Sequence, residues 1–350
     1  MAKPSAVGAT TAGDFAGNVG NSLDLGVQSG LLEGLHAVVA IRGGETILER
    51  YFAGPDQRWG QPLGTVDFGP AVLHDLRSVT KSIVSLLYGI ALDRGQVPAT
   101  DTPLLAAFPQ YPDLAKDPAR AAWTVDHAFQ MALGTEWNED LPYDNPANSE
   151  IAMERASDRY RFILDRPVVN EPGTVWTYNG GCSALIGHLI EQGTGRTLSE
   201  FARTELFAPL GIGDHEWIAG ADGQLSAASG LRLTAPGLAR IGGMMLARGR
   251  WQGRQVVPAD WIERCRTFRI RTSYGFGYSH QWYLSRQPRS AAGTMHPMIS
   301  AHGNGGQRLF VLPDLDLVVV TYSGNYNRAD QWMNPTLVLQ KLVLGRLPDA

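Results

Sequence analysis

The sequence predicts an α/β fold of the α+β kind: an antiparallel sheet flanked by terminal helices, with an all-helical domain inserted. Three observations carry this. Strand-like segments lie at the two ends of the chain, over residues 36–52 and again after residue 270. The middle, from about Leu76 to Gly213, has apolar residues at the helical period. Asp330 to Leu344 reads as a closing helix. Pairing the early hairpin with the late strands gives one sheet. The expected division is a flexible tail over 1–17, an α/β domain from 18–75 plus 214–350, and a mostly helical domain over 76–213.

The elements follow in order. Asn18 to Leu35 can hold a helix. His36 to Arg42 and Glu45 to Phe52 are strands around Gly43-Gly44, a hairpin signal. Gly54 to Pro70 is rich in Gly and Pro and reads as a loop. From Leu76, apolar Val79, Ile83, Leu86, Leu87 and Ile90 give a helix with one buried face, closed by Gly95 and Pro98. Val125 to Met131 follows a Thr124 cap. Trp137 to Asn148 is a long loop carrying two aromatics, a length that is often functional. Helices are expected over Ile151–Leu164, Ala184–Gln192, Leu198–Phe207, Ala235–Arg248 (capped by Thr234) and Pro258–Cys265. Gly277–Leu284, Gln307–Leu312 and Leu315–Tyr322 read as strands, the last two joined at Pro313-Asp314.

The 350 residues are 44% hydrophobic and 18% charged, enough apolar content for a large core. A net charge of −4 with no basic run argues against nucleic acid. No stretch approaches the roughly 18 apolar residues of a membrane span. The N-terminal residues lack an apolar signal region. Cys182 and Cys265 are isolated and suit a reducing cytoplasm. No His-Glu-x-x-His, metal-ligand cluster, P-loop, dinucleotide fingerprint or Gly-x-Ser-x-Gly occurs, so no cofactor or metal is expected.

The chemistry centres on Ser78-Val79-Thr80-Lys81. One turn apart on a helix, the two polar side chains share a face. Burial disfavours an ammonium, and an uncharged lysine can take the proton of a neighbouring hydroxyl. Ser-x-x-Lys alone is a weak signal. Here only four lysines stand among 30 basic residues, so a lysine in an apolar helix is notable. Arginine cannot replace it as a base. The plain alternative is a solvated lysine beside an N-cap serine. Tyr178, in a turn before an apolar helix, offers a phenol for proton transfer; a core tyrosine is the plain alternative. Ala301-His302-Gly303-Asn304-Gly305-Gly306 lets backbone approach a ligand, and the Asn304 amide is a candidate second oxyanion donor beside that of Ser78. His302 is either a pocket residue or a structural histidine. Trp137, Tyr143, Phe276, Tyr278, Trp282 and Tyr283 could form an aromatic pocket, at most half of them touching substrate.

Ser-x-x-Lys, a tyrosine motif about a hundred residues on, and a Gly-rich motif before the final strands resemble the serine β-lactamase and penicillin-binding-protein superfamily. Glu171-Pro172-Gly173-Thr174, Leu206 to Gly211 and Leu233 to Ile241 resemble its class C branch. Within it the chain is similar to class-C-like serine esterases (family VIII carboxylesterases) and 6-aminohexanoate (nylon-oligomer) hydrolases. The resemblance implies a β-lactamase/transpeptidase-like fold, with Ser78 as acylated nucleophile, Lys81 as its base and Tyr178 as proton shuttle. Two departures matter. Gly180 stands where β-lactamases of this branch have Asn, and Ala301-His302-Gly303 replaces Lys-Thr-Gly. Weak or no β-lactam hydrolysis is therefore expected.

Three readings remain at this point. The first is a cytoplasmic serine esterase, the second an amide hydrolase of nylon-oligomer or D-amino-acid amidase type, the third an acyl-ligand-binding scaffold with low turnover. The expected partner is a small-molecule ester or amide, not nucleic acid or membrane.

Overall fold

The computed structural model describes residues 12–288 and 293–347. Its centre is an eight-stranded antiparallel sheet. In spatial order the strands are Ile270–Arg271, Gly277–Ser279, Trp282–Pro288, Met295–Gly303, Gln307–Leu312, Leu317–Ser323, Leu35–Arg42 and Glu45–Tyr51. The early hairpin joins the late strands as expected, with Val39 opposite Val320. Gly43 and Gly44 both have positive φ, 60° and 79°, which a two-residue hairpin turn requires.

Strand alternation divides the core in two. Val38, Ala40, Phe310, Leu312, Leu317 and Val319 face the terminal helices, packing on Phe15, Val19 and Leu23 and on Val338, Leu339 and Val343. Val39, Leu309, Val311, Val318 and Val320 face the other way, onto the Val79–Asp93 helix, the Ala235–Leu246 helix and the helical middle.

Several expectations are corrected. The first helix spans Ala12–Gln28, so it begins inside the stretch read as a tail, and Leu35 is already strand. Phe15, Val19 and Leu23, four residues apart, are what hold it to the sheet. Residues 1–11 of that tail lie outside the described residues. The loop read over 54–70 contains a hairpin, Ala53–Arg58 with Gln61–Asp67. Its second strand is exposed almost throughout, so no apolar alternation marks it. The helix read over 151–164 breaks into Ser149–Arg155 and Arg159–Leu164, because the Asp158 side chain caps the second by accepting from Arg161 N. The strand read over 277–284 folds back at His280 and Gln281, both with positive φ. The Met295–Gly303 strand was not anticipated. Finally, the Val79–Asp93 helix is buried on every side from Val79 to Ala91, not on one face. Both the sheet and the helical middle cover it.

Behind the hairpin, His36 Nδ1 and His74 Nε2 are 3.0 Å apart, stacked on Phe68 and Tyr322 respectively. Burial pushes both imidazoles down to about 3. An unfolded histidine titrates near about 6.5. Above that pH the fold keeps the full contribution of the neutral rings. As pH falls towards 3, the unfolded chain takes up protons that the folded chain refuses, so stability is lost across this window. The melting temperature is expected to fall between pH 6.5 and 4, and His74→Gln is expected to flatten that slope. An unchanged slope in the variant would remove the histidines from the acid response.

Candidate active site

Ser78 precedes the Val79–Asp93 helix at its N-cap, with helical dihedrals and no side-chain cap bond. Its hydroxyl is thus not consumed by the helix. Arg77 before it has φ of +50°, a conformation uncommon for a residue with a side chain. It is tied down by Asp75, 3.2 Å from its Nε, and by the Tyr326 ring under its guanidinium. One turn on, Lys81 is 2% exposed. Its Nζ is 3.0 Å from Ser78 Oγ and 3.0 Å from the Ala228 carbonyl.

Tyr178 comes from the segment that leads into the Gly180–Thr194 helix, which Asn179 caps. Its ring centroid lies 4.9 Å from Lys81 Nζ, and the Ser78 hydroxyl is among the groups that interact with its phenol. Burial, then the Glu139 and Glu150 carboxylates, push the phenol well above its usual pKa. Near neutral pH it stays protonated and acts as a donor. Two segments about a hundred residues apart in sequence, one carrying Ser78 and Lys81 and the other Tyr178, therefore meet at one point.

Two acids at this point were missed by sequence reasoning. Glu150 Oε2 lies 3.8 Å from Lys81 Nζ, and Ser229 Oγ donates to its other oxygen at 2.7 Å. Burial works to raise this carboxyl, but the Lys81 charge and hydrogen bonds from Glu139 and Ser229 hold it below its usual value. Glu139 accepts from Trp137 Nε1 at 2.6 Å and from the Gly180 amide. Burial, then Glu150, pushes Glu139 upward. One acid thus keeps its proton while the other is the counter-charge of Lys81. Glu139 sits in the long loop flagged for its aromatics, and its acidic residues were the available signal. Glu150 lies just beyond that loop and carried none.

Ser78 opens onto two cavities of about 610 and 600 Å³, both also lined by Tyr143 and Asn304. The larger has Tyr178, Tyr274, Phe276 and Tyr283 in its walls. Tyr143, His302, Gly303 and Asn304 line the same cavity as Ser78. His302 stacks on Tyr283 at 4.3 Å and pairs with Ser300 Oγ at 2.9 Å. Burial, then Arg308, holds it well below the usual histidine range, so it is a neutral wall. A Cβ on Gly303 would fall 2.3 Å from the Leu76 carbonyl oxygen. Only glycine lets this strand end lie against the backbone that precedes Ser78. Asn304 lines the cavity, and its side chain is engaged with Asn327 through two hydrogen bonds.

Two aromatic candidates are corrected. Trp282 is fully buried in the core, because alternation along its strand sends Trp282 and Tyr283 to opposite faces and Tyr283 takes the cavity. Trp137 packs edge-on against Phe162 and does not line the larger cavity; its indole N–H positions Glu139.

Among the described residues, one group brings metal-ligating atoms within 4.8 Å of one another: His36, Asp56 and His74. Its imidazoles are joined by one hydrogen bond, His74 Nδ1 is paired with the Asp75 carbonyl, and Tyr326 donates to Asp56 Oδ1, while His36 Nε2 and Asp56 Oδ2 are buried without a hydrogen-bond partner. No helix among these residues is long and apolar enough to cross a membrane.

Comparison with known proteins places this geometry. A 6-aminohexanoate-dimer hydrolase of Paenarthrobacter ureafaciens is 28% identical over 309 residues, covering 82% of this chain and 72% of that protein. Among solved structures, EstCE1, a hydrolase with promiscuous acyltransferase activity, superposes with a TM-score of 0.75 at 14% identity, covering 95% of this chain and 99% of that one. A family VIII carboxylesterase gives 0.69 at 14% identity, covering 94% and 98%. At these identities the likeness establishes the β-lactamase/transpeptidase-like fold. The model of the Beta-lactamase family matches residues 30–338. With a match over nearly the whole length and the fold to go with it, the chain belongs to the Beta-lactamase family.

Proposed function

We propose that this serine hydrolase of β-lactamase fold cleaves carboxylic esters through an acyl-enzyme on Ser78. The observation that carries the reading is the 3.0 Å contact between Ser78 Oγ and the buried Lys81 Nζ at the floor of an open cavity. Lys81, in the form that carries no extra proton, takes the hydroxyl proton as Oγ attacks the carbonyl carbon. The amides of Ser78 and Asn304 hold the oxyanion. Tyr178 gives its proton to the departing alkoxide. Water then enters, gives a proton to the Tyr178 phenolate and attacks the acyl carbon, and the acid leaves as Lys81 returns its proton to Ser78 Oγ. The missing lysine of the third motif and the missing asparagine of the second weaken the grip on a β-lactam.

Amide cleavage is the second reading, favoured by the relative from Paenarthrobacter ureafaciens, which is named for hydrolysing a 6-aminohexanoate dimer. The test compares p-nitrophenyl acetate and butyrate with the matching anilides. A fluorophosphonate adduct is then mapped by peptide mass spectrometry. Ester turnover with an adduct on Ser78 and anilides at least about 100-fold slower is expected, since an amine leaves far less readily and demands more of the proton donor. Comparable anilide turnover supports the amide reading. An adduct without turnover fits a low-turnover acyl-binding scaffold. No adduct on Ser78 sinks the hydrolase mechanism.

A further inference from the structure

We infer that Trp59, at the tip of the 53–67 hairpin, is a positioning residue for the base: through Ser229 it holds the Glu150 carboxylate short of Lys81, so that the amine stays engaged with Ser78. The inference rests on the Ser78 reading above.

Arg58 pairs with Gln61 in this hairpin, so Trp59 and Gly60 are its two turn residues. Both have positive φ, 48° and 94°. Such a turn ordinarily takes Asn-Gly or Asp-Gly, because a bulky side chain in this conformation is strained. A strained residue persists only where its surroundings over-determine it, and such residues cluster at functional sites. Two hydrogen bonds hold this one. The Trp59 amide donates to Asp75 Oδ2 at 2.6 Å, and the indole N–H donates to Ser229 Oγ at 3.1 Å. Asp75 also pairs with Arg77, the residue before the nucleophile, whose φ is likewise positive. The hairpin tip is thereby fixed at the wall of the smaller cavity, to which Trp59, Ser78, Glu150 and Ser229 all contribute.

From the indole the contacts run inward. Ser229 Oγ receives the indole N–H and donates its own proton to Glu150 Oε1 at 2.7 Å. A hydroxyl has a single proton, and an incoming donor on its oxygen favours the orientation that sends that proton to the carboxylate. Ser226 Oγ lies farther from Ser229 Oγ, at 3.3 Å. Ser229 and Glu150 are both buried. Ala228, the residue before Ser229, accepts from Lys81 Nζ at 3.0 Å. One short segment therefore carries the carbonyl that steadies the base and the hydroxyl that steadies its neighbouring acid. Glu150 Oε2 stands 3.8 Å from Nζ, beyond hydrogen-bond reach, whereas Ser78 Oγ stands at 3.0 Å. A carboxylate released by Ser229 would turn onto the amine, since a bond to an ionised acceptor is stronger than one to a hydroxyl. It would then compete with Ser78 for Nζ.

The test uses the full-length protein, with p-nitrophenyl acetate turnover and, independently of turnover, the rate at which the fluorophosphonate labels Ser78. Trp59→Phe keeps a ring at the turn and deletes the indole N–H. Ser229→Ala removes the hydroxyl. Each is expected to slow labelling and kcat about tenfold with KM within about twofold, the scale of one hydrogen bond to a charged group. The double variant is expected to be no slower than Ser229→Ala alone, because both changes break one chain. Ser229→Thr keeps a hydroxyl and is expected to recover part of the rate. In a Glu150→Gln background Trp59→Phe is expected to add no further loss, there being no carboxylate left to restrain. Losses that multiply in the double variant overturn the chain, since that is what two independent packing defects give. So does a loss that tracks the melting temperature across the variants. A change confined to KM makes Trp59 a substrate contact and overturns the positioning role. An unchanged rate in Ser229→Ala shows that Glu139 alone holds Glu150, and overturns it as well. Equal labelling of Ser78 in the wild type and every variant sinks the chain and keeps the hydrolase. Absence of any Ser78 adduct in the wild type overturns the parent reading and the chain with it.

Discussion

Lys81→Arg is expected to lower kcat/KM on a short-chain ester by about 10³-fold, within the usual range for loss of a positioned proton acceptor. The substitution keeps a positive charge for Glu150, 3.8 Å away, and for the Tyr178 ring beneath it. It removes only the capacity to accept a proton, because a guanidinium stays protonated at any workable pH. Position 81 is buried, so the bulkier arginine also strains its surroundings. Lys81→Met controls for this, being close in shape and neutral. If charge alone matters at position 81, Arg works and Met fails; if basicity matters, both fail. Melting temperature and the rate of fluorophosphonate labelling at Ser78 separate misfolding from lost activation. A near-normal rate in Lys81→Arg would remove Lys81 from the proton path.

The second large effect concerns the leaving group. Tyr178→Phe keeps the ring 4.9 Å from Lys81 Nζ and deletes only the hydroxyl. With the phenol held protonated by burial and by Glu139 and Glu150, its role at neutral pH is to donate. A p-nitrophenolate departs without help, whereas an ethoxide does not. The loss in kcat/KM is therefore expected to grow with the basicity of the leaving group, from about tenfold on a p-nitrophenyl ester to about 10³-fold on an ethyl ester. Equal losses on both esters would show that Tyr178 supports the site in some other way, and the donor role would fall.

Much of the site was legible beforehand. Ser78 and Lys81 are one turn apart on a helix, so local spacing alone fixes their adjacency. His302, Gly303 and Asn304 were readable from their glycines, because backbone freedom at a strand end is a local property. The aromatics were harder. Trp282 and Tyr283 are neighbours in sequence, and which of them meets the cavity depends on the phase of a strand set by its partners Met295–Gly303. That strand was itself not recognised. The exposed hairpin over 53–67 escaped because neither face of its second strand is apolar.

Charge was where the sequence misled most. The third motif lacks the lysine that β-lactamases of this branch carry, yet folding sets the cation of Arg308 opposite His302. Likewise the expected apolar surroundings of Lys81 turned out to include Glu150.

The amino-acid order by itself determined the helical Ser78–Lys81 pair, the hairpin that joins the late strands, and the family. These follow from short-range periodicity, turn chemistry and motif spacing. Tertiary structure alone decided that Tyr178 and Glu150 converge on Lys81, and that Arg308 lines the cavity with no carboxylate of the described residues within ion-pair distance. Electrostatic partnership depends on distance in space and on the water removed around it, and neither is a property of neighbours along the chain.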